Sequence, residues 1–156
     1  MTTLPQTDKW TVSELFLDLL QDKLLHFQRF YDLSVDEREA LRDSEPAELA
    51  SILQAKSELQ MQINRLDHEM GRLSEKHPDF VSKMDPEQNK EFKSTIELIV
   101  DLLQNIIDYE TTNREIAKNR RSQIQEQMQR LSGGNRLLKT YFRKSEVGAR
   151  FLDKAH

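Results

Sequence analysis

The residue types that carry most enzyme chemistry are sparse in this chain and poorly spaced for it. There is no cysteine, which excludes a thiol nucleophile, a Cys-based zinc site and a disulfide framework. The four histidines are His26, His68, His77 and His156. None closes a Glu-x-x-His pair, so a ferritin-like di-metal core lacks its ligands. No His-Glu-x-x-His, P-loop, dinucleotide fingerprint or Gly-x-Ser-x-Gly occurs. A phosphoacceptor histidine on a helical bundle stays open for His26 or His68, against the reading of His68 as a solvated side chain. No catalytic, cofactor-binding or metal-ligating residue is assigned, and no enzyme activity is expected.

The polar residues that do stand out interrupt an apolar pattern. Leu49, Ile52, Lys56, Leu59, Ile63, Leu66, Met70 and Leu73 recur at alternating spacings of three and four, a heptad seam with one polar member. Lys56 is either a seam lysine whose stem packs while its ammonium reaches water or a carboxylate, or a residue that sets register. Glu110 and Asn113 interrupt a later seam, and Asn113 has the same two readings.

These residues need long helices to position them. The chain of 156 residues has only four Gly and four Pro, with 37% hydrophobic and 32% charged residues. That balance suits a slender all-α bundle, in which each helix needs one apolar stripe, rather than a large round core. One helical domain is expected over 1–156, with 1–10 a loose arm. A first helix over 11–43 begins at the capping box Thr11-Val-Ser-Glu14 and carries a broad face from Leu15 to Tyr31. Ser34-Val-Asp-Glu37 repeats the capping pattern, but Ala40 and Leu41 prolong the apolar face, which favours one continuous helix. Ser44-Glu-Pro46 turns the chain into a second helix over 45–76, stopped by Pro78. Phe80, Val81 and Met84 are expected to cover the end of that hairpin.

Asp85-Pro-Glu-Gln88 opens a third helix. No Gly or Pro follows before Gly133, so a single helix over 86–131 is expected, about 65–70 Å long. Its apolar stripe is wide from Phe92 to Ile107 and thin from Glu110 to Leu131, as for a half-exposed groove. The second and third helices are expected to pair antiparallel, with the indices of facing residues summing to about 165. Lys56 then faces Glu110, and the last turns of the third helix outrun the second.

Ser132-Gly-Gly-Asn135 is the strongest break, with Gly133 and Gly134 expected as a hinge. The amphipathic segment 135–156 beyond it carries six Lys/Arg against Glu146 and Asp153. Its net charge is +4 in a chain of net −4, so residues 1–134 carry −8. The segment reads as a partner-binding element with apolar anchors at Leu137, Leu138, Tyr141 and Phe142, as a nucleic-acid or membrane-surface element, or as a last helix completing the bundle. Met1–Trp10 has no apolar leader core, and no apolar run is long enough to span a bilayer. A soluble cytoplasmic protein, monomeric or homodimeric, is expected.

The ordered set of residues resembles the FlgN-type flagellar export chaperones, which serve hook–filament junction proteins. The resemblance rests on the Leu-rich first helix with Leu33, Glu37, Arg38, Ala40 and Leu41, and on the Leu49–Leu66 ladder with its lysine. It continues through Leu102, Leu103 and Asn113 to the Gly-containing break, Tyr141 and Leu152-Asp-Lys154. Asp67 to Arg72 departs from the pattern at the hairpin end. The resemblance implies a non-catalytic protein that binds the C-terminal segments of hook-associated proteins, prevents their premature assembly and delivers them to export-gate components, with no nucleic acid or membrane insertion. It points to Ile124, Met128, Leu131, Leu137, Leu138, Tyr141, Phe142, Phe151 and Leu152 as the binding residues. The alternatives are a filament-cap-type secretion chaperone, a coiled-coil adaptor and, further off, a nucleic-acid-associated regulator.

Overall fold

The computed structural model describes residues 11–131 together with 133, 134, 136 and 139. Among these the architecture is all-α. Helix α1 spans Val12–Asp43, α2 Pro46–Lys76, α3 Pro86–Asn119 and α4 Arg121–Gln129. Local chemistry sets most of the ends. Thr11 accepts the Glu14 amide at the start of α1. Ser44 closes α1 in the left-handed region at φ 54°, and Pro46 then opens α2. Asp85 and Gln88 form the full capping box ahead of α3, with bonds of 2.8 and 3.1 Å. Helix α1 runs unbroken through Ser34, whose hydroxyl donates to the Phe30 carbonyl one turn back instead of starting a new helix.

The cross-helix contacts give the directions. Gln21 meets Thr95, Tyr31 meets Tyr109 and Arg38 meets Asn113, so indices rise together and α1 and α3 are parallel. Lys23 meets Asp67 and Glu37 meets Lys56, so α1 and α2 are antiparallel. The expected close pairing of the second and third helices is corrected here. Helix α1 packs extensively against both α2 and α3, whereas the α2 and α3 backbones hardly approach each other. The reason lies in the width of the apolar faces. Helix α1 buries Leu17, Leu20, Leu24, Phe27 and Phe30 and flanks them with the half-buried Phe16, Leu19, Tyr31 and Leu33, a face broad enough for two neighbours, while α2 buries mainly one heptad stripe.

Two apolar clusters result. The larger joins Leu20, Leu24, Phe27 and Phe30 of α1 to Leu59 and Ile63 of α2 and Ile99, Leu103 and Ile106 of α3. The smaller joins Ala40 and Leu41 to Leu49, Ile52, Leu53, Ala117, Ile124 and Met128. At the open end of the hairpin Phe80 is buried, its ring 4.4 Å from that of Phe16, and Ser13 donates to its carbonyl. Val81, expected to help cover this end, faces solvent.

The third helix is not continuous to Leu131. It is interrupted at Arg120, with φ −112° and ψ 16°, after which a separate helix, α4, begins. Lys118-Asn-Arg-Arg121 places three cations and a weak helix former together, with no apolar residue to hold the seam between Ala117 and Ile124. The Arg120 guanidinium donates to the Leu41 and Arg42 carbonyls at the C-terminus of α1, the Arg42 bond at 2.9 Å. It thereby satisfies acceptors that the helix leaves unpaired.

The central position of α1 predicts an asymmetric response to truncation. Phe27→Ala, at a site 1% exposed, should cost about 3–5 kcal/mol in denaturant unfolding. Leu25→Ala, on the same helix at 61% exposure, should cost less than about 0.5 kcal/mol. Similar costs at both sites would contradict the packing.

Candidate functional site

Between the two apolar clusters lies a layer of polar side chains. Lys56, 1% exposed, extends from α2 into the axis of the bundle, where its ammonium pairs with Glu37 of α1 and Glu110 of α3. The Lys56–Glu110 pair is the one the antiparallel register expects. The single Ser34 hydroxyl proton is shared between the Phe30 carbonyl and Glu110, whose carboxylate oxygen lies 2.9 Å away. Asn113 donates to the Ser34 carbonyl at 2.9 Å and accepts from Arg38 at 3.2 Å. Arg38 in turn lies over the Tyr109 ring, 3.9 Å from its centre, and Tyr109 meets Tyr31 edge-on. The ammonium also sits 5.0 Å from the centre of the Phe30 ring.

Burial alone would lower the Lys56 pKa. The two facing carboxylates outweigh it and hold the ammonium above its ordinary value. Glu37 is the member that the reading of Ser34–Glu37 as a capping box concealed. A signal was present: Phe27, Phe30, Ser34, Glu37 and Leu41 keep the three–four spacing, so Glu37 falls on the buried face of α1.

Beyond the polar layer is the end of the bundle that holds the candidate binding residues. Ile124 and Met128 are buried in the smaller cluster, and Leu131 packs half-buried against it. The half-exposed groove expected from Glu110 to Leu131 is therefore filled in this structure. The interruption at Arg120 directs α4 against α2 instead of letting it overshoot. Helix α4 has nine residues, no side-chain N-cap, no acidic residue in its first turn and no basic one in its last. Among the described residues, Ile124, Met128, the half-buried Leu131 and the Arg120 bonds to α1 help to position it. Gln123 adds a bond of 3.4 Å to Ser44.

Gly133 and Gly134 follow. Gly133 has φ 76°, a conformation suited to glycine. A Cβ on Gly134 would collide with the Met128 backbone, so the chain passes close against the last turn of α4 here. Leu137, Leu138, Tyr141, Phe142, Phe151 and Leu152 lie outside the described residues. Of the histidines, His68 is exposed, and His26 donates from Nδ1 to the Asp22 carbonyl at 2.6 Å. No group of three or more His, Asp or Glu that could hold a metal occurs among the described residues, and none of their helices is long and apolar enough to cross a membrane.

The polar layer predicts opposite outcomes for two kinds of replacement. Lys56→Ala leaves the buried Glu37 carboxylate and the half-buried Glu110 carboxylate facing each other and should cost about 3–5 kcal/mol in denaturant unfolding at neutral pH. Lys56→Met combined with Glu37→Leu and Glu110→Leu should be neutral or stabilising. The pH dependence has a definite sign, because the Lys56 pKa is raised on folding. Its stabilisation is complete below the unfolded value of about 10.4 and is lost as pH rises through the folded value. Denaturant titrations from neutral to alkaline pH should show that loss in the natural chain and not in the triple variant.

The chain was compared with known proteins. A family model described as FlgN protein matches residues 13–147, which takes in all four helices. No curated protein matches the chain. No solved structure matches it either. With the match running through the bundle, the polar layer and the double-glycine turn, the chain belongs to the FlgN family of flagellar export chaperones.

Proposed function

We propose that this protein is a cytoplasmic chaperone that binds the C-terminal segments of hook-associated proteins, keeps them from assembling early and aids their delivery to export-gate components. Family membership supports the general role. The observation that favours the C-terminal end as the binding region is the character of α4. Isolated helices shorter than about 12–15 residues are marginal in water, and α4 has nine. Among the described residues it is anchored by Ile124, Met128 and the Arg120 guanidinium, with Leu131 half-buried, against a cluster that includes the small residues Ala40 and Ala117.

In this reading the proposed client-contacting residues are Ile124, Met128, Leu131, Leu137, Leu138, Tyr141, Phe142, Phe151 and Leu152. Gly133 and Gly134 are the point about which the basic segment repositions. Ile124 and Met128 are covered in the empty chaperone, so a client that uses them must compete with the smaller cluster. A client that binds the open arrangement better shifts the population towards it by that difference in affinity. An amphipathic client helix presenting apolar residues three and four apart suits such a surface. Lys56, Glu37, Glu110 and Asn113 have the structural task of holding the scaffold beneath it.

The test is co-purification and titration with isolated C-terminal peptides of hook-associated proteins. The full chain should bind. A chain lacking residues 132–156, with helical circular dichroism retained, should bind at least about tenfold more weakly, a loss of about 1.4 kcal/mol. Equal binding by both forms would remove the site assignment, and no binding by either would remove the chaperone reading for these clients.

A further inference from the structure

At the end of the bundle remote from α4, an open groove runs between the first turns of α1 and the last turns of α2. Its floor is Leu15, Leu19 and Leu73, with Leu15 40% exposed and the other two half-buried. Its room, about 460 Å³, is three times the roughly 150 Å³ that admits one benzene-sized group. The Lys23–Asp67 pair at 2.6 Å sets the antiparallel register here, so Lys76 stands level with Glu14 and Arg72 with Asp18. Asp18 on the α1 wall and Arg72 and Lys76 on the α2 wall are exposed and line the groove. None of the three takes part in an ion pair among the described residues. Opposite charges thus flank an apolar floor across a gap that they do not close themselves.

We infer that this groove is the docking site of Trp10, the last residue of the N-terminal arm and the only tryptophan in the chain. Met1–Trp10 lies outside the described residues. What points to Trp10 is its place relative to the helix start. Thr11 is the N-cap of α1 and is extended, with φ −71° and ψ 160°. Trp10 is therefore the residue before the cap, and Leu15 is the fourth residue of the helix. An apolar pair at these two positions is a hydrophobic staple, which fixes the angle at which a chain enters a helix. The leucine that such a staple needs is the exposed one on the groove floor. Trp10 is joined directly to the cap, so almost no loop has to be closed to bring the two together. The walls suit the ring as well. An indole offers an N–H donor at its edge and the aromatic face that attracts cations best. Asp18 supplies an acceptor for the first, and Lys76 and Arg72 supply cations for the second. Another opening at this end, of about 270 Å³, lies beside Thr11, His77 and Phe80. Phe80 there is already buried against the Phe16 ring, so this opening has no comparable leucine floor. The arm is then anchored at its last residue and closes the scaffold end of the bundle. Nothing in the inference depends on the client-binding end.

With a single tryptophan, the intrinsic fluorescence of the full chain reads this site directly. The native emission should lie well to the blue of the emission in urea, and acrylamide should quench it several-fold less steeply. Leu15→Asp should return both readings towards their unfolded values. Helical circular dichroism should be retained, because an acid in the first turn of a helix is favourable. R72E/K76E should act in the same direction to a smaller degree, through loss of the cations. Leu25→Asp, on the same helix at 61% exposure but outside the groove, should leave both readings unchanged. The inference is overturned by a native emission that coincides with the unfolded one. It is overturned equally by a blue-shifted emission that Leu15→Asp leaves in place, which puts the indole elsewhere. A blue shift lost on dilution also overturns it, because the groove is then filled by Trp10 of a second copy.

Discussion

A lysine ammonium held at the point where three helices meet is the interaction on which the rest of this bundle depends. Lys56 reaches from α2 to carboxylates on both α1 and α3. Removing such a charge from water costs several kcal/mol, and it is tolerated only where opposite charges and hydrogen bonds replace the lost solvation. That condition is met at one register. Sliding α2 by a turn would carry the ammonium into the leucines and phenylalanines of the larger cluster or into the alanines of the smaller one. The heptad seams supply most of the driving force for packing but tolerate slippage. The polar layer supplies little net stability and fixes which layer meets which. Ser34, Asn113 and Arg38 extend it to the α1–α3 contact, where a seam residue would otherwise be apolar.

The same layer divides the molecule. On one side Phe27, Phe30, Ile63 and Ile106 form a dense core of large side chains. On the other, Ala40, Ala117, Leu41, Leu49, Ile52 and Leu53 form a cluster to which Ile124 and Met128 of a short helix contribute. Local opening draws on the parts with the least buried apolar contact. A scaffold that must stay folded while one end exchanges partners needs such a gradient, and here it coincides with the end that carries the candidate binding residues. Arg120 links the two requirements. Its bonds to the last carbonyls of α1 hold α4 in place without adding apolar area.

Much of this was legible in the residues. The heptad ladder of α2, the capping box at Asp85, the Ser44–Pro46 turn and the facing of Lys56 and Glu110 all follow from spacing and capping chemistry, which are local. What was not legible depended on competition between elements. The spacing pairs the second and third helices directly, but the helix with the widest apolar face takes the centre and serves both neighbours. The interruption at Arg120 needed no Gly or Pro; it follows from a gap in the seam and from acceptors on another helix, which spacing along one helix does not show. Glu37 was hidden by a motif that is right at helix starts and irrelevant within a helix. At the far end Gly133 and Gly134 were readable as a break, while the close approach of Gly134 to the Met128 backbone was not.

Under the proposed function, the polar layer divides the scaffold from the end that receives the client. Hydrogen exchange read by mass spectrometry on the full chain, with and without a hook-associated C-terminal peptide, tests it most directly. The account predicts that protection changes on binding fall beyond the layer, in Ala40–Leu53 and Ala117–Leu131 and in the segment that follows. The region around Leu20–Phe30 and Ile99–Ile106 should be unchanged. Protection changes concentrated in that second region, with none beyond the layer, would contradict it.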